Sequence, residues 1–290
     1  MKIFRTVPSM QAYADKTRTQ GHTLALVPTM GSLHEGHVSL IRRAKEEADH
    51  VTVTIFVNPT QFGPHEDFDS YPRNFDRDCA ILADIGGVHA VFAPTESAFY
   101  PEGTDHHQVW VTCPEMTKFL CARNRPGHFE GVLTVVMKLF AACKPHIGVF
   151  GLKDIQQFIL LKKMIHDLSL DIKMVGVPTA REASGLAYSS RNEYLSPDER
   201  LQARVLSKAV IVATELIKNG ETSSQTVRDL MKKTIQSAPL SRLQYAEIVD
   251  SNTLHPIEDL SSGMELIAAV AVYFGEVRLI DNALVSVPLD

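Results

Sequence analysis

The sequence predicts an α/β protein: a doubly wound parallel sheet followed by a smaller C-terminal α+β domain. Two observations carry this. From Thr23 to about Val177, strand-like and helix-like segments alternate, as strands joined by crossover helices must. Beyond about Pro178 the order changes to helices first and strands afterwards. A chain of 290 residues is also long for one core and suits two domains. The expected division is residues 1–180 and 181–290.

Each element has its own reason. Thr23 to Val27 is an apolar run that reads as a strand. Val51 to Val57 is β-branched and reads as a buried strand. Arg73 to Ile85 reads as a helix ended by Gly86-Gly87. His89 to Ala93 is a strand stopped by Pro94, and Gln108 to Val111 a weaker one. Val132, Val135, Val136, Leu139, Phe140 and Cys143 fall on one helical face. Ile147 to Phe150 is a strand, Lys153 to Leu168 a helix and Ile172 to Val177 a strand. In the second part, Ser196-Pro197-Asp198-Glu199 opens a helix with an N-cap and a capping-box glutamate. That helix is expected to run unbroken to Asn219-Gly220. Thr222 to Gln225 has the form of another capping box. Strands follow at Leu243–Val249 and Leu266–Phe274.

Composition excludes several classes of function. Hydrophobic residues make up 44% and charged residues 22%, as in ordinary globular proteins. The net charge of −5 and pI near 6.2 give no basic excess to hold nucleic acid. The apolar stretches at 267–274 and 132–143 are too short or too interrupted to span a bilayer. The opening Met1-Lys2-Ile3-Phe4-Arg5 lacks the apolar core of a signal peptide. Cys79, Cys113, Cys121 and Cys143 show no Cys-x-x-Cys spacing and are expected as reduced thiols. A cytoplasmic protein with no nucleic-acid or membrane partner is expected.

The most informative stretch runs from Pro28 to His37, between a strand and a helix. Ser32 with Glu35 has the form of a capping box, so the helix is expected to start at Leu33. His34 and His37 then lie on one side of its first turns. Free backbone N–H groups and the positive end of the helix dipole make such a start an anion site. Two added imidazoles suit a polyphosphate undergoing reaction. Zinc ligation and a plain helix surface are the other readings of the pair. Zinc would need further ligands, and the spacing is not that of His-Glu-x-x-His.

In a parallel sheet, ligands bind beyond the carboxyl ends of the strands. Those ends carry Met30 to His37, then Asn58 to Gly63, then Gly151 to Gln157, then Pro178 to Glu182. Lys153 and Gln157 are spaced to share a helix face, and an anion would offset a lysine at a helix start. The plain alternatives are a solvated lysine, the usual fate of that residue, and surface amides at Gln61 and Gln157, which the glutamines taken alone favour. Gln61 and Gln157 offer both donors and acceptors, which suits a hydroxy-acid substrate. Arg125-Pro126-Gly127-His128-Phe129 reads as a turn. Tyr188-Ser189-Ser190-Arg191-Asn192 is either a mobile phosphate clamp or a polar linker.

Taken in order, these segments resemble a known family. Pro-Thr-Met-Gly-x-Leu-His-x-Gly-His, Phe-Val-Asn-Pro-x-Gln-Phe, Tyr-Pro-Arg, Arg-Pro-Gly-His-Phe-x-Gly-Val, Gly-x-Lys-Asp-x-Gln-Gln and Ser-Ser-Arg-Asn-x-Tyr-Leu are similar to those of the pantothenate synthetases, the pantoate–β-alanine ligases. The likeness runs from about residue 24 to residue 196. His34-Glu35-Gly36-His37 alone resembles the signature of a wider nucleotidyl-transferring superfamily, which includes class I aminoacyl-tRNA synthetases.

The resemblance implies a Rossmann-like first domain that binds ATP and pantoate, and a smaller C-terminal lid domain. It implies joining of (R)-pantoate to β-alanine through pantoyl adenylate, with ATP and Mg²⁺ required and AMP and pyrophosphate released. It assigns ATP to Met30, Gly31, Ser32, Leu33, His34, Glu35, Gly36 and His37, to Gly151, Leu152, Lys153 and Asp154, and to Ala180, Tyr188, Ser189, Ser190 and Arg191. His34, His37 and Lys153 are the expected catalytic residues, with His37 as proton donor. Gln61 and Gln157 would hold pantoate, and Gln61 also β-alanine. A homodimer through the N-terminal domain is implied. Mg²⁺ is expected to be held by phosphates and water, and Asp76 and Asp78, acidic neighbours of the site loop, are assigned no role. A nucleotidylyltransferase and a nucleotide sensor without turnover are the competing readings. The neutral Gln61–Gln157 pair argues against the first, and Lys153 with His37 against the second.

Overall fold

The computed structural model describes residues 1–64 and 66–289. They fall into two compact units. The first comprises Met1–Cys113, Arg125–Leu152 and Leu160–Pro178, and the second Pro114–Asn124, Lys153–Ile159 and Thr179–Asp290.

The first unit contains β1 (Lys2–Phe4), α1 (Val7–Thr19), β2 (Leu24–Thr29), α2 (Glu35–Glu47), β3 (His50–Ile55), α3 (Phe75–Ile85), β4 (Ala90–Phe92) and α4 (Glu96–Phe99). After α5 (Leu120–Asn124), which belongs to the second unit, come α6 (His128–Cys143), β5 (Ile147–Gly151), α7 (Ile155–Asp167) and β6 (Lys173–Val177). Among the described residues, six strands form one sheet in the order β1-β4-β3-β2-β5-β6. Every pairing in it is parallel. This is the Rossmann-like arrangement expected. Alternate residues of each strand face opposite ways. Ala25, Val27, Val51, Val53 and Val149 share a core with Leu40 and Ile41 of α2 and Leu82 of α3. Helices α1 and α6 pack on each other and on β2.

Several elements differ from expectation. Residues 108–111 form no strand; Val111 donates its N–H to Thr134 Oγ1 instead of to a ladder (2.9 Å). Two elements near the N-terminus escaped the pattern. Strand β1 is three residues long. Helix α1 buries only Met10, Ala14 and Thr17, too narrow a stripe to read from periodicity, although Thr6 caps it and Pro8 sits in its first turn.

The second unit contains α5, the start of α7, then α8 (Pro197–Ala203), α9 (Val205–Lys218), α10 (Ser224–Gln236), β7 (Ser241–Asp250), β8 (Glu265–Phe274) and β9 (Val277–Ser286). Among the described residues, three antiparallel strands lie in the order β7-β8-β9. Helix α9 covers β8 and β9, and α10 packs on β7. The expected single helix from Ser196 breaks at Arg204. There the Arg204 side chain donates to Leu201 O (2.8 Å) and Ser207 Oγ to Arg204 O (3.0 Å), side-chain bonds that compete with the helical ladder. The next helix is capped by Ser223, which accepts from Thr226 N, and not by Thr222. Strand β9 was not anticipated: its Asp281 and Asn282 interrupt the apolar pattern, yet both are buried.

At the amino ends of the first sheet three of the histidine rings cluster. His50 stacks on His89 at 4.2 Å between centroids, and His22 lies 4.9 Å from His50. Burial and the neighbouring histidines push His50 below its ordinary value of 6.5, with Asp49 acting in the opposite sense. Burial, the N-terminal amine and His22 push His89 down as well, against a backbone hydrogen bond that raises it. The folded state therefore binds fewer protons than the unfolded chain just below the ordinary value. The stability tied to the neutral rings is complete above that value and declines as pH falls through it. Melting temperature is expected to drop between about pH 7.5 and pH 5.5, and His50→Gln to flatten that drop. Equal slopes in both proteins would show that this cluster does not set the acid limit.

Candidate active site

The chain leaves β2 towards β3 and β4 on one side and returns to β5 on the other. Between β2 and β5 the strand order reverses, which opens a crevice beyond their carboxyl ends. The loop after β2 lies there. Gly31 (φ +79°) and Ser32 (φ +49°) are both left-handed, so the chain turns sharply before α2.

Asp78 of α3, 1% exposed, holds this turn. Its carboxylate accepts from Ser32 N at 3.0 Å and from Leu33 N at 2.8 Å. A Cβ on Gly31 would lie 2.8 Å from Asp78 Oδ2, so this position requires glycine. Spacing in the sequence could not reveal a partner so far along the chain. A cavity of about 360 Å³ adjoins the turn, lined by Met30, Gly31, Ile55, Phe56, Phe75 and Asp78 among others.

The turn moves the helix start. Left-handed Ser32 cannot take the extended N-cap conformation, so the expected Ser32–Glu35 box does not form. The cap is His34, and the helix begins at Glu35 rather than Leu33. His34 Nδ1 accepts from Gly36 N (3.1 Å), and His37 Nδ1 accepts from His34 N (3.3 Å). The two imidazoles thus replace the serine and glutamate of an ordinary capping box. Their ring centroids lie 4.1 Å apart. Because Nδ1 of each is an acceptor, the proton of each neutral ring is assigned to Nε2. Ser32 Oγ is buried and has no hydrogen-bond partner among the described residues.

Beyond β3, Gln61 ends a short 3-10 turn, Pro59–Gln61. Its Nε2 lies 2.9 Å from Met30 Sδ, and its Oε1 accepts from Asn58 Nδ2 at 3.3 Å. Gln61 and Met30 are thereby brought together within the first unit. Asn58 is itself buried and accepts from Tyr100 Oη (2.9 Å). A Cβ on Gly131 of α6 would meet Thr60 O at 2.3 Å, so this helix touches the turn backbone to backbone.

Gly151, at the end of β5, and Leu152 close the first unit's run of expected residues, and the second unit carries the rest. Lys153 and Asp154 lie in a 3-10 turn, Leu152–Asp154, and α7 starts only at Ile155. Lys153 is therefore not on an α-helical face with Gln157, as its spacing suggested. Its Nζ lies 3.4 Å from Asp154 Oδ1, and its carbonyl accepts from Asn282 Nδ2 at 2.7 Å. Gln157, half-buried, lies in the first turn of α7. Beside it Gln156 is buried and ties to Cys121 N and Phe119 O, both at 2.9 Å. Ala180 O accepts from Tyr188 N at 3.0 Å. Next to Ala180, Arg181 forms a bidentate pair with Asp281 at 2.6 and 2.9 Å. Ser189 caps a 3-10 turn, Ser190–Tyr194, accepting from Arg191 N at 3.3 Å. Asn192 anchors that turn, donating to Ala187 O (3.0 Å) and Glu182 Oε1 (3.3 Å).

A parallel sheet in this order, with an anion-binding helix start at its switch point, defines a nucleotide-binding α/β protein. Comparison with known proteins narrows the class. A family model described as pantoate-beta-alanine ligase matches residues 2–284. The chain is 53% identical to a pantothenate synthetase of Salinibacter ruber over 292 aligned positions, covering 99% of each. It is 44% identical to that of Acetivibrio thermocellus, covering 99% of this chain and 100% of the relative. The crystal structure of the Thermus thermophilus enzyme superposes with a TM-score of 0.89 at 41% identity, covering 98% of this chain and 99% of that one. A Francisella tularensis pantoate–β-alanine ligase, complexed with β-γ ATP and β-alanine, superposes at 0.78 with 33% identity, covering 98% and 97%. The chain belongs to the pantoate–β-alanine ligase family and is an enzyme of that activity.

The hold of Asp78 on the turn has a measurable consequence. Asp78→Ala leaves two buried N–H groups unpaired, at a cost of about 1–3 kcal/mol each. Lower melting temperature and weaker ATP binding are expected together, with Asp78→Asn intermediate. Unaltered ATP binding in folded Asp78→Ala would show that the turn keeps its shape without this carboxylate.

Proposed function

We propose that the enzyme joins (R)-pantoate to β-alanine in two steps, through pantoyl adenylate, and releases AMP and pyrophosphate. The observation that carries this reading is the paired-imidazole start of α2. Both rings accept a backbone N–H at Nδ1, which assigns the proton of each neutral ring to Nε2. Such a constellation suits the oxygens of a nucleoside triphosphate. A carboxylate does not react with an amine at neutral pH, because its oxygen is a poor leaving group. In the first step the pantoate carboxylate attacks the α-phosphorus of ATP, and the bond to pyrophosphate breaks. In the second, the β-alanine amine attacks the acyl carbon, and AMP leaves with the bonding electrons. No protein nucleophile is needed.

The residues take the following roles. Met30 to His37, Gly151 to Asp154, Ala180 and Tyr188 to Arg191 bind ATP. His34 and His37 donate through Nε2 to phosphate oxygens as charge develops, and His37 is the proton donor. Lys153 places a cation on the reacting phosphate, and Asp154 accepts from the ribose. Gln61 and Gln157 pair with the hydroxyl and carboxylate groups of pantoate, and Gln61 also receives β-alanine. Among the described residues no group of three or more His, Cys, Asp or Glu side chains is placed to hold a metal. In this reading Mg²⁺ arrives with ATP, held by phosphate oxygens and water. In this reading residues 1–180 serve ATP and pantoate, and residues 181–290 act as a lid that keeps water from the labile adenylate. A cytoplasmic homodimer, joined through the N-terminal part, completes it. Among the described residues no helix is long and apolar enough to cross a membrane.

The direct test of the route is exchange of labelled pyrophosphate into ATP. Exchange is expected with pantoate and Mg²⁺ and without β-alanine. Exchange only in the presence of β-alanine, or ADP as product, would overturn the adenylate route. For the paired imidazoles, His37→Ala is expected to fold and to lose about 10²–10³ in turnover, the usual cost of one preorganised donor. Near-normal turnover at saturating substrates would remove His37 from the mechanism.

A further inference from the structure

The segment Arg125-Pro126-Gly127-His128-Phe129 has no part in the roles above, yet it closes a polar network on Gln61. His128 Nδ1 lies 2.7 Å from the backbone carbonyl of Gln61. Arg125 Nη1 lies 2.9 Å from His128 Nε2. A guanidinium has only donors, so Nε2 accepts and the ring proton sits on Nδ1, where it donates to the carbonyl. Arg125 is fixed in turn by Glu66, through Nε at 2.6 Å and Nη2 at 2.5 Å. Glu66 also accepts from Gly63 N at 3.2 Å, beside the same turn. Burial pushes the Glu66 carboxyl up, but its bonds to Arg125 outweigh this and hold it below the ordinary carboxylate range. It stays ionised and keeps its grip on the guanidinium.

The turn bearing Gln61 needs such support. Of its own backbone bonds, that from Phe62 N to Pro59 O is ordinary at 3.1 Å, but that from Gln61 N to Asn58 O, at the residue itself, is long at 3.5 Å. Among the described residues the side-chain amide meets only Met30 sulfur and a 3.3 Å contact with Asn58, partners that a substrate oxygen can displace. The backbone end is held firmly and the amide end lightly.

We propose that Glu66, Arg125 and His128 are positioning residues that fix the Gln61 carbonyl, and with it the direction of the Gln61 amide, for recognition of the hydroxy-acid substrate. This rests on the reading of Gln61 as a pantoate-binding residue. The three residues touch no reacting atom and act through Gln61.

The test is the KM for pantoate and for ATP in five variants. His128→Ala is expected to raise the pantoate KM about ten-fold or more, with the ATP KM within about two-fold. His128→Asn keeps a donor where ring Nδ1 stands and should recover most of the loss. Glu66→Gln, which keeps the shape, should raise the pantoate KM and leave the ATP KM within about two-fold, and it carries the test if His128→Ala does not fold. In a Gln61→Ala background, adding His128→Ala should change the pantoate KM by less than about two-fold, because its route is gone. Equal rises for both substrates, no recovery in His128→Asn, or an undiminished effect without Gln61 would overturn the proposal. If Gln61→Ala impairs pantoate use and His128→Ala does not, the positioning role alone falls. If Gln61→Ala leaves the pantoate KM unchanged, the role of Gln61 falls and the proposal with it.

Discussion

The first unit depends on one carboxylate. Asp78 reaches from α3 to the turn after β2 and takes the N–H groups of Ser32 and Leu33. A buried carboxylate needs such donors. The turn in exchange adopts two successive left-handed residues, which an isolated chain disfavours. Because the turn is fixed, α2 starts at Glu35, and His34 and His37 cap it with their own rings. The tautomers of both imidazoles, and hence which nitrogen can donate, follow from that cap. A helix start that would otherwise offer only backbone donors becomes one with two oriented side-chain donors.

A comparable logic holds within the second unit. Asp281 of β9 is buried and pairs with Arg181, whose guanidinium is raised further by that hydrogen bond. Removing either partner of such a pair typically costs about 3–5 kcal/mol, because a charge is left buried and unpaired. The next residue, Asn282, takes the Lys153 carbonyl. The middle of one strand thus anchors both the segment after Pro178 and the turn bearing Lys153. That explains why β9 interrupts its apolar pattern with an acid and an amide: they hold neighbouring loops instead of packing.

Much of the fold and part of the site were legible in the sequence. Runs such as Val51–Val57 and the single apolar face of Val132–Cys143 are local signals, because burial on one face leaves a periodic trace. Strands β2 to β6 and the change of order after Pro178 were readable for that reason. The segments from Met30 to His37 and around Gln61 and Lys153 could be picked out as candidates in the same way, since strand ends in a parallel sheet locate a ligand edge without coordinates. Local patterning failed where burial was slight, as in α1, or where polar residues stood in a buried strand, as in β9.

The sequence by itself determined which residue types stand at the carboxyl ends of the strands, and the family to which they belong. Only the tertiary structure decided how those residues are held. Asp78 and Ser32 are distant in sequence, as are His128 and Gln61, and no spacing rule connects them. The expected Ser32–Glu35 box obeyed every local rule. It lost because Asp78 holds Ser32 left-handed, away from the extended conformation from which a serine side chain caps a helix. Local propensity is worth about 1 kcal/mol at such a position, and a buried carboxylate with two backbone donors outweighs it.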